Sequence, residues 1–250
     1  MIKVTTTDRV ATIELARNEK KNALTTAMYA AMTDALAAAE SEPGVRAILI
    51  HGTRDCFTAG NDLKDFLAGP AGASQALRFI SALSKTGKPV VAAVGGPAVG
   101  IGTTLLLHCD LVYAAPGARF QLPFAQLGLV PEGASSLLLP LTAGYQRAAE
   151  LLLLGQPFSA EKALSAGIVT EIVPEEALLE RARTAAAALA ALPPESVRLT
   201  KQLMKRPLAT AIADQMAEEA RLFADRLQSG EAKEALSAFL EKRKPDFSRF

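Results

Sequence analysis

The chain predicts an α/β fold, and three observations carry that reading. Short apolar stretches at Val10–Leu15, Arg46–His51, Pro89–Val94 and Leu111–Ala114 either alternate with period two or run continuously, as half-buried and fully buried strands do. Between the first three, Thr26–Ala39 and Ala73–Ser84 place apolar residues at helical spacing. After about Pro174 the composition shifts and helices follow one another without intervening strands. Strand and helix alternating along most of the chain is the pattern of a layered α/β core. Periodicity leaves open whether the strands form one open sheet or a coiled spiral of small units.

Taken in order, Ile2–Val4 and Val10–Leu15 read as two strands around a turn at Thr7–Arg9, with Ala11, Ile13 and Leu15 on one face. The helix over Thr26–Ala39 repeats Met28, Met32, Leu36 and Ala39 and ends before Pro43-Gly44, residues that stop helices. The strand Pro89–Val94 closes on Gly95-Gly96, and Gly100–His108 opens a very apolar helix before the strand Leu111–Ala114. A further helix is expected over Gly133–Leu139. In the last third, helices over Glu175–Ala191, Glu195–Lys205, Leu208–Leu227 and Glu231–Glu241 are separated at Pro193-Pro194 and near Pro207.

With 250 residues, half of them hydrophobic, the chain can bury one large core. No apolar run approaches the roughly 18 to 20 residues that span a bilayer, and the start MIKVTTTDRV resembles neither a secretory nor a transit segment. A cytoplasmic protein without a membrane partner is expected. A net charge of +1 supplies no broad field for nucleic acid. Cys56 and Cys109 lack C-x-x-C spacing and read as buried, reduced thiols. With two histidines in the chain, His51 and His108, no metal-ligand set is expected. His108 lies inside an apolar helical run and reads as a core residue.

Three segments mix small residues and turns with few polar groups: Phe57–Leu63 (FTAGNDL), Gly95–Gly102 (GGPAVGIG) and Pro123–Gly133 (PFAQLGLVPEG). A glycine-rich turn entering a helix leaves backbone N–H groups free for an anion or oxyanion. The second segment has no Lys-Ser/Thr of a phosphate loop and lacks the third glycine of a dinucleotide fingerprint, which argues against a Rossmann-type oxidoreductase.

Together and in this order the segments resemble the enoyl-CoA hydratase/isomerase (crotonase) family over nearly the whole chain. Arg17–Leu24 (RNEKKNAL) resembles its first coenzyme A-contacting loop, and Ala59-Gly60-Asn61-Asp62-Leu63 its A-G-x-D-[IL] turn. Ala98–Gly102 resembles the second turn, Cys109–Ala114 the following strand, and Phe239 with Glu241–Lys244 the tail that reaches a neighbouring subunit's coenzyme A. The resemblance implies a right-handed spiral of strand-strand-helix units over residues 1–192, then a helical assembly region over 193–250. It implies a homotrimer or hexamer acting on an acyl-CoA thioester, with coenzyme A arriving as part of the substrate and no separate cofactor.

By family position, the backbone N–H groups of Asn61 and Ile101 form an oxyanion hole for the thioester oxygen. Ala23, Ala59, Asp62, Leu63, Phe124 and Lys242 fall at substrate-contacting places. Asp62 reads as structural, capping the helix that follows, and Lys20, Lys21 and Lys242 are candidates for the coenzyme A phosphates. The two places where the family's hydratases carry glutamates hold Thr104 and Phe124, neither of which moves a proton at neutral pH. The stretch Pro123–Gly133 followed by Ser135-Ser136 resembles instead the peroxisomal type of Δ3,Δ2-enoyl-CoA isomerase, which makes Glu132 the expected proton shuttle. Rival readings within the family are a hydratase, a thioesterase, a dehalogenase and a ring-modifying isomerase. A catalytically silent acyl-CoA-binding subunit is the reading from another class.

Overall fold

The computed structural model describes residues 1–62, 65 and 70–250. Two strands, β1 (Ile2–Thr7) and β2 (Val10–Leu15), form an antiparallel hairpin. Its tight turn places Asp8 and Arg9 at φ 50° and 67°, the double left-handed conformation that matches the twist of paired strands. Strands β3 (Ala47–His51), β4 (Val90–Val94), β6 (Leu111–Ala114) and β9 (Glu171–Ile172) then add in parallel to β2. A second sheet, in the order β5-β7-β8, joins β5 (Pro97–Val99), β7 (Arg119–Gln121) and β8 (Phe158–Ser159).

The chain passes repeatedly between the two sheets. It leaves the first after β4 at Gly95-Gly96, enters the second at β5, returns at β6 and leaves again at β7. The question that periodicity left open is answered in favour of a coil of small units.

The first sheet is covered on both faces, which is why β3 and β4 read as continuous apolar runs. On one face lie Ile13, Ile48, Ile50, Ala92 and Val94, packed with helix α1 (Thr26–Ser41) and helix α2 (Pro70–Lys85). Thr25 starts α1 by accepting the Met28 N–H at 3.2 Å, and Tyr29 meets Phe79 of α2 at 6.0 Å between ring centres. On the opposite face Leu49, Val91 and Tyr113 meet Leu178, Ala182 and Ala186 of helix α7 (Leu178–Ala191). Each fully buried Leu, Ile or Phe contributes about 1.5–3 kcal/mol.

The predicted helix over Gly100–His108 is shorter and compound: α3 (Ile101–Thr104) tightens into a 3₁₀ turn over Leu105–His108. The helix expected from Gly133 is α4 (Ser135–Ala143). It starts later because Gly133 and Ala134 are both left-handed, at φ 69° and 56°. After α5 (Tyr145–Ala149) and α6 (Ala160–Ser165), the last third holds α8 (Pro194–Lys205), α9 (Ala209–Leu227) and α10 (Gly230–Leu240). Buried Lys201 fastens α8 to the first sheet, donating to Lys88 O and Asp110 Oδ2, both at 2.7 Å. Asp110 in turn accepts the Val90 N–H at 2.7 Å. Among the described residues no helix is long and apolar enough to cross a membrane.

Candidate active site

The Phe57–Leu63 and Gly95–Gly102 loops converge because backbone hydrogen bonds stitch them together. The Phe57 and Thr58 N–H groups donate to Pro97 O at 3.1 and 2.9 Å, and Val99 N–H returns to Thr58 O at 3.1 Å. Gly60 sits at φ +88°, and a Cβ there would stand 2.8 Å from Val99 O, so only glycine lets the first turn close on the second. Asn61 and Ile101 are the residues that follow in each turn. Gly60 N–H is spent on Thr58 Oγ1 and Asp62 N–H on Leu24 O, while Ile101 is the first residue of α3, where a helix leaves its N–H groups without an intrahelical acceptor.

The first loop is fixed from behind by Asn22, fully buried and left-handed at φ 52°. Its side-chain amide donates to Cys56 O and Phe57 O, both at 3.1 Å, and its backbone carbonyl accepts from Thr58 Oγ1 at 2.7 Å. Arg17 adds a second tie, donating to Ala23 O at 2.8 Å and Asp62 Oδ2 at 2.7 Å. Asp62 is thus ion-paired with Arg17, and its contact with the Asp65 N–H, the expected cap, is a long 3.5 Å. Ala59 N–H donates to Lys21 O at 2.9 Å.

Asn61, Ile101 and Glu132 line one cavity of about 1400 Å³. Its walls are largely apolar, with Leu77 and Ala82 from α2, Phe223 and Leu227 from α9, and Leu236 and Leu240 from α10. Glu132 is 8% exposed. Burial, with a smaller push from the negative charge of Glu219, raises its carboxyl to about 7, against the opposing hydrogen bond from Thr104. That bond is direct: Thr104 Oγ1 donates to Glu132 Oε1. Asp225 also borders the cavity, but its side chain is exposed and paired with Arg221 at 3.0 Å. Glu132 is thus the buried carboxylate of the cavity among the described residues, with a proton affinity suited to exchange near neutral pH.

Among the described residues no ion pair to Glu132 is found, and two buried titratable groups lie beside it. Tyr29 lies buried nearby and spends its hydroxyl on Asn61 Oδ1; burial and the Glu132 charge hold that phenol above its ordinary range. His108 Nε2 meets Gly133 O at 2.8 Å, and burial pushes the imidazole down to about 4, as a core histidine requires. Both cysteines are free thiols. No group of three His, Cys, Asp or Glu among the described residues could hold a metal ion.

The remaining expected contacts are not all brought to this cavity. Phe124 is buried in the main core, outside the cavity's described lining. Lys242 is exposed at φ 56° beyond the end of α10, and Leu63 lies outside the described residues. Lys20 and Lys21 are exposed on the Arg17–Leu24 loop. Sequence reasoning missed Tyr29 and Glu219 at this site, and it read Thr104 as a lost glutamate rather than as the partner of Glu132. The only signal for Tyr29 was an aromatic hydroxyl on an otherwise apolar helix face.

The sequence pattern described as Enoyl-CoA hydratase/isomerase matches residues 5–249. The human enoyl-CoA delta isomerase 2 is 34% identical over 96% of this chain, which spans 63% of the human protein's length. The 1,2-epoxyphenylacetyl-CoA isomerase of Escherichia coli K12 is 36% identical, covering 96% of this chain and 95% of its own. The crystal structure of an enoyl-CoA hydratase/isomerase from Pseudoalteromonas atlantica superposes with a TM-score of 0.94 at 43% identity, covering 99% of both chains. A crotonase-like α/β spiral with a helical C-terminal region, the fold expected from the sequence, is the fold found. With the turns, the cavity and these likenesses in agreement, the chain belongs to the enoyl-CoA hydratase/isomerase family.

Proposed function

We propose that the protein is an enoyl-CoA isomerase that moves the double bond of a 3-enoyl-CoA to the 2-trans position, with Glu132 as its single proton shuttle. The observation that carries this reading is one buried carboxylate on the cavity, raised to about 7, where water addition by the usual family route asks for two. Ionised Glu132 takes a proton from C2, and the C–H electron pair passes into a dienolate with its charge on the thioester oxygen. The N–H groups of Asn61 and Ile101 hold that oxygen, each donor being worth about 3–4 kcal/mol. The neutral acid then returns the proton at C4, the C2–C3 double bond forms and the thioester carbonyl is restored. The cycle is redox-neutral and needs no cofactor beyond the coenzyme A already on the substrate. The apolar walls fit an acyl chain, and the relatives' names include an enoyl-CoA delta isomerase.

The 1,2-epoxyphenylacetyl-CoA isomerase likeness favours a ring-modifying isomerase as the second reading, with Glu132 again moving the proton. As part of the same proposal the enzyme works in the cytoplasm as a homotrimer or hexamer. Leu203 and Met204, each 65% exposed on α8, support an assembly surface there. Light scattering measures the assembly directly.

The deciding experiment supplies 3-hexenoyl-CoA and crotonyl-CoA to wild type and Glu132→Gln, following the conjugated thioester chromophore. We expect conversion of the 3-enoyl ester, little hydration of crotonyl-CoA, and a loss of roughly 10²- to 10⁴-fold in the variant. Brisk hydration, or isomerisation indifferent to Glu132, overturns the mechanism.

A further inference from the structure

Of the two buried carboxylates on the C-terminal helices, Glu234 is paired with Arg243 and Arg249; the other reaches the turn that carries Glu132, and the reaction as written does not use it. Glu219 of α9 is 4% exposed. Its Oε2 accepts the Ala134 N–H at 2.6 Å, and its Oε1 accepts the Ser136 N–H at 3.1 Å together with the Ser136 hydroxyl. Gln215, one turn earlier on the same helix, donates to Ser136 Oγ at 2.9 Å, which orients that hydroxyl toward Glu219. No ion pair of Glu219 is found among the described residues. Among the described residues its charge is met by N–H and O–H donors.

Those donors are the backbone of the turn that carries Glu132. Ala134 is held left-handed at φ 56°, a conformation that costs a residue with a Cβ about 1 kcal/mol or more. It persists where the surroundings over-determine it. Glu132 O closes the same turn by accepting Ser135 N–H at 3.2 Å and Ser135 Oγ at 2.7 Å.

We propose that Glu219 is a positioning residue for Glu132: it locks the left-handed turn that aims the Glu132 carboxylate into the cavity, and it sets a fixed negative charge behind that carboxylate. The inference rests on the reading of Glu132 as the proton shuttle and adds a second carboxylate with a different task. Burial raises the Glu219 carboxyl above its ordinary value, and its three donors with the N-terminus of α4 act against that rise to hold the anion. Glu132, with a single hydroxyl donor, is left to gain and lose the proton. Environments that separate two neighbouring acids in this way divide acid–base labour. The other titratable groups facing the turn are Tyr29 on the α1 side and His108 on Gly133 O, with Lys201 and Lys205 beyond His108.

The test compares wild type, Glu132→Gln, Glu219→Gln and Glu219→Asp by two readouts. Infrared spectroscopy follows the carboxylic acid band that Glu132→Gln removes, titrated through the neutral range without substrate. Steady-state kinetics on 3-hexenoyl-CoA supplies kcat and KM. Glu219→Gln removes the charge, so the Glu132 midpoint falls and the acid limb of kcat/KM moves down with it. The turn loosens as well, and kcat drops roughly 10- to 100-fold with little change in KM. Glu219→Asp keeps the charge but withdraws the carboxylate by one methylene, so the midpoint stays while kcat drops. That variant also carries the test if Glu219→Gln does not fold. An unmoved midpoint in Glu219→Gln, or wild-type kcat in Glu219→Asp, overturns the proposal. A wild type inert toward 3-hexenoyl-CoA overturns the isomerase reading instead, and the infrared titration still decides the role of Glu219.

Discussion

Burying a carboxylate to make it basic has a thermodynamic signature that Glu132→Gln exposes without any substrate. In the folded protein the carboxyl stands at about 7 against an ordinary 4.5, with burial the main cause. The folded state therefore holds the Glu132 proton over an interval in which the unfolded chain has released it. Stability is unaffected below about pH 4.5, declines as pH rises through that interval, and has lost its full amount above about pH 7. At 1.36 kcal/mol per pH unit the interval amounts to about 3 kcal/mol. Glutamine fills the same space, accepts from Thr104 and never ionises, so it escapes this loss. Its unpaired N–H₂ costs about 1–3 kcal/mol at every pH, which offsets the curve but does not tilt it. The assay is urea unfolding of wild type and Glu132→Gln at one protein concentration and a series of pH values. Other titrating groups are common to both chains and cancel in the difference. The variant should gain about 3 kcal/mol relative to wild type between pH 4.5 and pH 8. A difference that stays flat with pH would refute the inference that Glu132 is basic because it is buried.

His108 should bend the acid side the other way. Held down to about 4 by burial, it contributes stability present above the ordinary 6.5 and lost as pH falls toward 4, roughly 2 kcal/mol of it by pH 5; His108→Gln should flatten that limb in the same unfolding series. Thr104→Val removes the hydroxyl that holds Glu132, so kcat should fall roughly 10-fold and the acid limb of kcat/KM should move to higher pH, while Thr104→Ser restores both. Lys201→Met leaves partly buried Asp110 without its cation and should cost about 1–3 kcal/mol in urea unfolding. Gly60→Ala must push Val99 away from a 2.8 Å contact at a positive φ, and should cost about 1–3 kcal/mol with a larger proportional loss of turnover than of substrate affinity.

What was legible in the sequence is what repeats locally. β2 shows its core face by alternation, β3 and β4 by unbroken apolar runs, and α1 by the spacing of Met28, Met32, Leu36 and Ala39. The second sheet was not legible. Its strands are two or three residues long, too short for a period to establish itself. The compound nature of the predicted Gly100–His108 helix escaped for a similar reason, since a change from α to 3₁₀ winding leaves the apolar pattern intact. At the site, Glu132, Asn61 and Ile101 came from a resemblance carried by small-residue turns, and the structure gathers all three on one cavity. The residues that fix them could not come from local pattern: Asn22 reaches Cys56 across 34 positions, Arg17 reaches Asp62 across 45, and Glu219 reaches Ala134 across 85. Each is a polar side chain whose partner is set by the fold.

On the proposed reading of Glu132, position 104 is where such a long-range partner bears on the chemistry. A carboxylate there, beside Glu132, would place two acids on one cavity; like charges at close range cannot both ionise cheaply, and one would sit protonated while the other activated water. Threonine offers a hydroxyl instead, too weak an acid to supply a proton at neutral pH but able to donate a hydrogen bond. That donor lowers the Glu132 carboxyl while burial raises it, and the balance leaves the group near neutrality, ready both to take a proton and to return it. A base that must do both within one cycle works best when neither form is strongly favoured. On this argument Thr104→Glu, by adding a second acid within reach of a bound enoyl thioester, should raise hydration of crotonyl-CoA and lower 3-enoyl isomerisation. Loss of isomerisation with no gain in hydration would mean that the identity of residue 104 does not choose between the two reactions.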